Sequence, residues 1–123
     1  MKRSRINRIS DKEQEFRKQW GPVRKAYAEK FHCPLTGSYQ TEVHEMIGGS
    51  SRQITRQEPC TWLALSRTAH EEVQYWPKAR QLALKLIHDP ENFDLERFNE
   101  LYRSGGREWP VTLTQIASHL TLG

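Results

Sequence analysis

The run Cys33-Pro-Leu-Thr-Gly-Ser-Tyr-Gln-Thr-Glu-Val-His-Glu-Met-Ile-Gly-Gly49, with Thr61-Trp-Leu-Ala-Leu-Ser-Arg-Thr-Ala-His70 downstream, decides how this chain is read. Cys33 to Gly37 has the composition of a turn, and Thr41 to His44 suits a strand. Gly48 to Arg56 is polar and long enough to be a loop. Thr61 to Ser66 suits a short buried strand. Thr68 and Glu71 have the spacing of a capping box, which places His70 in the first turn of a helix running to about Tyr75. The order is therefore strand, loop, strand, helix. It brings His44, at a strand end, toward His70 on a helix face, although the two lie 26 positions apart.

Those residue types suit a metal. Neutral imidazole is a good ligand for divalent transition ions, and carboxylate oxygen suits the harder ones such as magnesium and manganese. A bound ion stabilises charge developing on a phosphate while a base deprotonates water, and an unperturbed histidine titrates near enough to neutrality to be that base. Adjacent residues on a regular strand point to opposite faces, so His44 and Glu45 share one ion only if the strand ends or bends there. Two assignments stay open: His44 as ligand with Glu45 as base, or His44 as base with Glu45 as ligand or orienter. His44-Glu45-Met46-Ile47-Gly48 is not the metalloprotease motif, because no histidine stands at position 48.

Upstream, Ser10 and Glu13 form a second capping box. Phe16, Trp20, Val23, Tyr27 and Phe31 recur at helical steps and define an apolar face. Lys12, Arg17, Lys18, Arg24 and Lys25 fall mostly outside it. Gly21-Pro22 predicts a kink or two short helices. Downstream, Pro77 suits a first helical position, and Ala79, Leu82, Ala83, Leu86 and Ile87 line one face up to Asp89-Pro90. Asp94 caps a helix with Leu95, Phe98, Leu101 and Tyr102 inside, ending at Gly105-Gly106. Thr112 or Thr114 caps a last short helix carrying Ile116, Ala117 and Leu120. The fold class is α+β, mostly helical: a flexible basic arm over 1–9, then one domain over 10–123, with a small core at 33–75 and a helical extension at 77–123.

A chain of 123 residues with 36% apolar and 28% charged content describes one soluble domain. No apolar stretch is long enough to span a membrane, and two cysteines make a disulfide scaffold an unfavoured reading, so the expectation is a cytoplasmic protein with reduced thiols. Residues 1–30 carry ten Lys/Arg against four Asp/Glu, a net +6, and the remainder is −2. A basic third on a near-neutral body points to a polyanion such as DNA. The candidate contacts are Lys18, Arg24 and Lys25 on the first helix, Arg52 and Arg56 in the loop, and Arg67 at the next helix start. A guanidinium there holds a phosphate through two parallel hydrogen bonds.

Residues 33–75 resemble an HNH endonuclease of the ββα-metal class, in a compact phage or prophage variety. The resemblance rests on His44-Glu45, the Gly- and Arg-containing loop and the helix residue His70. It implies a metal-dependent DNA endonuclease that uses one divalent ion, magnesium or manganese, with nickel or zinc as substitutes in vitro. It implies that His44, Glu45 and His70 hold the metal and that His44, Glu45 and Thr61 serve catalysis. Thr61 stands where relatives carry an Asn that constrains the loop. A structural zinc held by two Cys-x-x-Cys pairs maps to Cys33, Thr36, Ser66 and Ala69, so no structural zinc is expected. The alternative is a degenerate HNH-fold module that binds DNA or a partner without cutting. A double-strand cut by a single-site domain implies a homodimer or sequential nicks.

Overall fold

The structure, a computed structural model, describes residues 10–48, 55–104 and 110–120. The expected basic arm, Arg52 and the Gly105-Gly106 helix stop lie outside them. The class is α+β and mostly helical. Helix α1 spans Asp11–Glu29, strand β1 Glu42–Glu45 and strand β2 Trp62–Leu65; helices α2 (Arg67–Val73), α3 (Lys78–His88), α4 (Leu95–Ser104) and α5 (Leu113–Leu120) follow. The strands form one antiparallel pair with Glu42 opposite Leu65, Val43 opposite Ala64, His44 opposite Leu63 and Glu45 opposite Trp62.

Because side chains alternate along a strand, this register sorts the sheet into two faces. Leu63 and Leu65 join the main core with Val73, Leu82, Phe98, Leu101 and Ile116. Their cross-strand partners His44 and Glu42 therefore look toward α2 and α3. Trp62 and Ala64 pack instead with Tyr27, and with Trp20, Phe31 and Val43 at the margin, so α1 covers the second face. Tyr27 meets the Trp62 ring edge-on, with centroids 5.2 Å apart, a geometry that contributes roughly 0.5–1.5 kcal/mol beyond the area buried.

Helix α1 differs from the expectation in two ways. It runs unbroken through Pro22, although an interior proline removes a helical hydrogen bond at a cost of about 3 kcal/mol. Packing of Trp20 and Tyr27 on either side of Pro22 against the sheet holds the helix together. Val23, expected inside, is exposed. In α3, Ile87 is likewise exposed, while Gln81 and Lys85 are completely buried. Apolar periodicity misplaces that face because two polar side chains point inward to partners elsewhere in the chain. Caps mostly agree: Ser10 accepts from the Glu13 amide, Asp94 from Arg97 and Thr112 from Gln115. Helix α2 is the exception, since Ser66 caps it rather than Thr68, which moves His70 from the expected first turn to the helix centre.

Lys85 binds four partners. Its ammonium shares three N–H groups among four acceptors: the carbonyls of Trp62 (2.7 Å) and Pro59 (2.9 Å), Tyr27 Oη (3.0 Å) and Asp89 Oδ2 (2.7 Å). Tyr27 Oη donates to the same Asp89 oxygen at 2.6 Å. Burial pulls the Lys85 pKa down against the carboxylate's pull upward. Burial also favours the neutral form of Asp89, yet the hydrogen bonds from Lys85 and Tyr27 prevail and hold its pKa below the ordinary value. Burial and the Asp89 carboxylate push the Tyr27 phenol up. This clasp ties α1 to β2 and α3.

The four positions that map to the zinc cysteines carry a hydrogen-bonded cluster. Thr36 Oγ1 donates to Ser66 Oγ at 3.1 Å, and Ser66 Oγ accepts from the Ala69 amide at 3.3 Å. Burial raises the Cys33 thiol, but side-chain and backbone hydrogen bonds from Ser66 and Thr36 outweigh it and bring its pKa down to about 6. Cys33 and Cys60 are both free.

Candidate functional site

His44 leaves β1 on the core face and is 3% exposed. Its ring lies against that of His70, with centroids 4.7 Å apart and planes at 73°. The sheet places His44 and helix α2 places His70, so the two histidines singled out in the sequence do meet.

A chain of hydrogen bonds sets the proton on His44. The Trp76 carbonyl only accepts, so the nitrogen of the Gln81 amide faces it at 3.0 Å. That orientation turns the Gln81 oxygen toward His44 Nε2, 2.9 Å away, and an amide oxygen only accepts. His44 Nε2 is therefore the protonated nitrogen, and Nδ1 carries the lone pair. Nδ1 is buried without a hydrogen-bond partner. Burial, more than the Gln81 bond that opposes it and the nearby charges of His70 and Lys78, lowers the His44 pKa to about 4. The ring is neutral at physiological pH.

His70 is held the opposite way round. Its Nδ1 bonds the Glu42 carboxylate, which leaves Nε2 as its outward nitrogen. Glu42 also takes Arg67 Nη1 at 3.1 Å. Neither Glu42 nor Gln81 stood out in the sequence. The signal for Glu42 was present, because it sits two residues before His44 and so shares its strand face; Gln81 gave none.

Glu45 departs from its assignment as a ligand. It lies on the other face of the sheet, opposite Trp62, where Arg24 Nη2 pairs with it at 3.0 Å. The chain bends only after the strand, at Met46 and Ile47, too late to bring it round: Glu45 is still in register with Trp62, and Met46 donates to the Thr61 carbonyl at 2.7 Å. Thr61 is buried. Its single hydroxyl proton is shared between the carbonyls of Glu58 (2.8 Å) and Thr55 (3.2 Å), and Thr55 Oγ1 donates to the Ile47 carbonyl at 3.3 Å. The ends of the loop between the strands are thus pinned, and Thr61 is a positioning residue.

The arginines divide. Arg24 bridges Glu45 and the Arg56 carbonyl (3.0 Å) and lies over the Trp62 ring. Arg56 pairs with Glu13 at 2.8 Å and stacks on Phe16 with 3.6 Å to the ring centre. Both tie α1 to the sheet and loop, which corrects their reading as phosphate contacts. Lys18, Lys25 and Arg67 are exposed. Among the described residues, no helix is long and apolar enough to cross a membrane, and no three His, Cys, Asp or Glu side chains form a group able to hold a metal. No protein-family model, curated protein or solved structure matches the chain.

Proposed function

We propose that this protein is a divalent-metal-dependent DNA endonuclease, with His44 and His70 as its two imidazole ligands. One observation carries the reading: two facing histidines each have one ring nitrogen fixed by a partner and the other left as a donor. Ligating histidines in metalloproteins are held in this way, with the second nitrogen donating to a carboxylate or an amide oxygen. The ring centroids lie 4.7 Å apart, so His44 and His70 would be the residues to hold an ion here, each through the nitrogen its partner leaves with a lone pair.

The ion, when bound, would polarise the phosphate and stabilise the leaving oxygen. Magnesium or manganese remains the proposed cofactor, and the nitrogen donors incline the site toward manganese, nickel and zinc. The chain's own residues do the rest. Burial keeps His44 neutral and so able to donate a lone pair, Gln81 fixes its tautomer, and Glu42 orients His70. Of the two assignments for the His44-Glu45 pair, only the ligand role of His44 is kept: a group with a pKa near 4 is a weak base at neutral pH, and Glu45, on the opposite face with Arg24, serves as neither ligand nor base. Lys18 and Lys25 on α1 and Arg67 beside Glu42 supply the positive surface for DNA.

A DNA-binding or interaction module without hydrolysis is the second reading, favoured by the lack of a third protein donor among the described residues. The test is supercoiled plasmid with magnesium, manganese, nickel or zinc, run beside His44→Ala and His70→Ala proteins whose folding is checked by circular dichroism. Metal-dependent nicking that both substitutions abolish supports the endonuclease. DNA binding without nicking under any metal establishes the second reading.

A further inference from the structure

We infer that the loop between α1 and β1 is a docking platform for an unpaired DNA strand, with a base stacked on Tyr39 and its phosphate held by Arg67. This deepens the reading of the chain as acting on DNA and names the state of the strand it grips.

The loop is held rigid and yet displays an aromatic ring. Gly37, at φ +77°, makes a turn that side-chain-bearing residues rarely adopt. Its amide donates to the Cys33 carbonyl at 2.8 Å, and the Cys33 amide donates to Ser38 at 2.9 Å. Ser38 Oγ donates to the Gln40 carbonyl and accepts from the Gln40 amide, and Thr41 Oγ1 donates to the Ala28 carbonyl at 2.7 Å. Between these anchors Tyr39 stays 79% exposed. It packs edge-on against another exposed ring, His32, with 4.1 Å between centroids. An ordered ring with an open face is what a base needs for stacking, because little conformational entropy remains to be lost on contact.

The loop residues on either side of Tyr39, Ser38 and Gln40, line a polar cleft of about 460 Å³ that runs to Arg67 and Thr68. The hydroxyls of Thr36, Ser38 and Thr41 spend their protons within the protein. The donors left to a ligand are the Gln40 amide, the Thr68 hydroxyl and the remaining N–H groups of Arg67, which is 72% exposed. Glu42, the acid on the cleft floor, is already engaged by Arg67 and His70, so its charge does not repel a phosphate unopposed. The cleft thus joins the loop that carries Tyr39 to Arg67, and borders the histidine pair through Glu42, which lines it and bonds His70. A base paired within a duplex has its faces covered by its neighbours, so this arrangement selects an unpaired one.

The test is fluorescence anisotropy in EDTA, with fluorescein-labelled oligothymidylate and a labelled hairpin duplex as probes. Tyr39→Ala weakens oligothymidylate binding by roughly tenfold or more, Tyr39→Phe retains it, and neither changes duplex affinity. Arg67→Ala weakens both and lowers the salt dependence by about one phosphate contact. Unchanged oligothymidylate binding by Tyr39→Ala, an equal loss on the duplex, or no binding of oligothymidylate by the native chain overturns the inference. Cleavage plays no part in these readouts. Loss of nicking in the histidine variants with normal binding by Tyr39→Ala removes this inference alone; the converse pattern removes only the hydrolase.

Discussion

Gln81→Leu is the sharpest probe of the site, because it replaces neither proposed ligand and alters only what holds one of them. In the native chain the Trp76 carbonyl orients the Gln81 amide, and the amide oxygen takes the proton of His44 Nε2 at 2.9 Å. Leucine keeps the bulk and removes both bonds. The Trp76 carbonyl and the His44 N–H are then buried without partners, each costing about 1–3 kcal/mol, so the chain should unfold at clearly lower urea while remaining folded in its absence. The ring is also free to turn or to exchange tautomers. Loss of such a supporting bond lowers metal affinity or activity by about 10–100-fold, which is about 1.4–2.7 kcal/mol. Gln81→Glu keeps an acceptor toward His44 and should lose less in the metal titration. Manganese affinity is measured by calorimetry, and the tautomer by long-range nitrogen–proton NMR on the metal-free chain. A native His44 protonated at Nδ1, or a folded Gln81→Leu chain with undiminished manganese affinity, refutes the reasoning.

The two carboxylates near His44 separate by face: Glu42→Gln should cost about 10–100-fold in metal affinity by releasing His70, and Glu45→Gln should leave affinity unchanged while weakening the attachment of α1. Asp89→Ala, which strands a buried ammonium, should destabilise by about 3–5 kcal/mol, read from urea midpoints. The Asp89 pKa is depressed in the folded chain, so its contribution is whole above the ordinary aspartate value of about 3.9 and fades as pH falls through the folded value. The gap in stability between the native chain and Asp89→Asn should therefore shrink on acidification; a constant gap down to strong acid contradicts the clasp. Joint substitution of Thr36, Ser66 and Ala69 by cysteine beside Cys33 should create a tetrahedral thiolate site that binds zinc and raises the thermal midpoint when loaded. No zinc uptake would show that these four positions do not converge.

Much of the architecture was legible because local rules and tertiary packing agree. The Ser10, Asp94 and Thr112 caps, the short strands and the apolar face of α4 follow from spacing and side-chain chemistry, whereas in α5 Ile116 is buried but Ala117, read with it, is exposed. Pro22 does not divide the helix in two, because its cost is local, whereas the packing that carries the helix through it comes from a sheet twenty and more residues away. Ser66 displaced Thr68 as cap for a comparable reason: the turn at Cys33–Gly37 orders Ser66 through Thr36.

The sequence by itself determined that His44 and His70 belong to one ββα unit, since strand and helix signals surround both. It also determined that His44 and Glu45 face opposite ways if the strand is regular. Only the tertiary structure decided that the strand is regular, and with it that Glu42 rather than Glu45 shares the histidine face. It alone turned Arg24 and Arg56 inward onto Glu45 and Glu13, and buried Gln81 and Lys85. The physical reason is that hydrogen bonds and ion pairs are satisfied in space. A glutamine thirty-seven residues from His44 leaves no periodic mark in the chain, yet it sets which nitrogen of that histidine is left to bind.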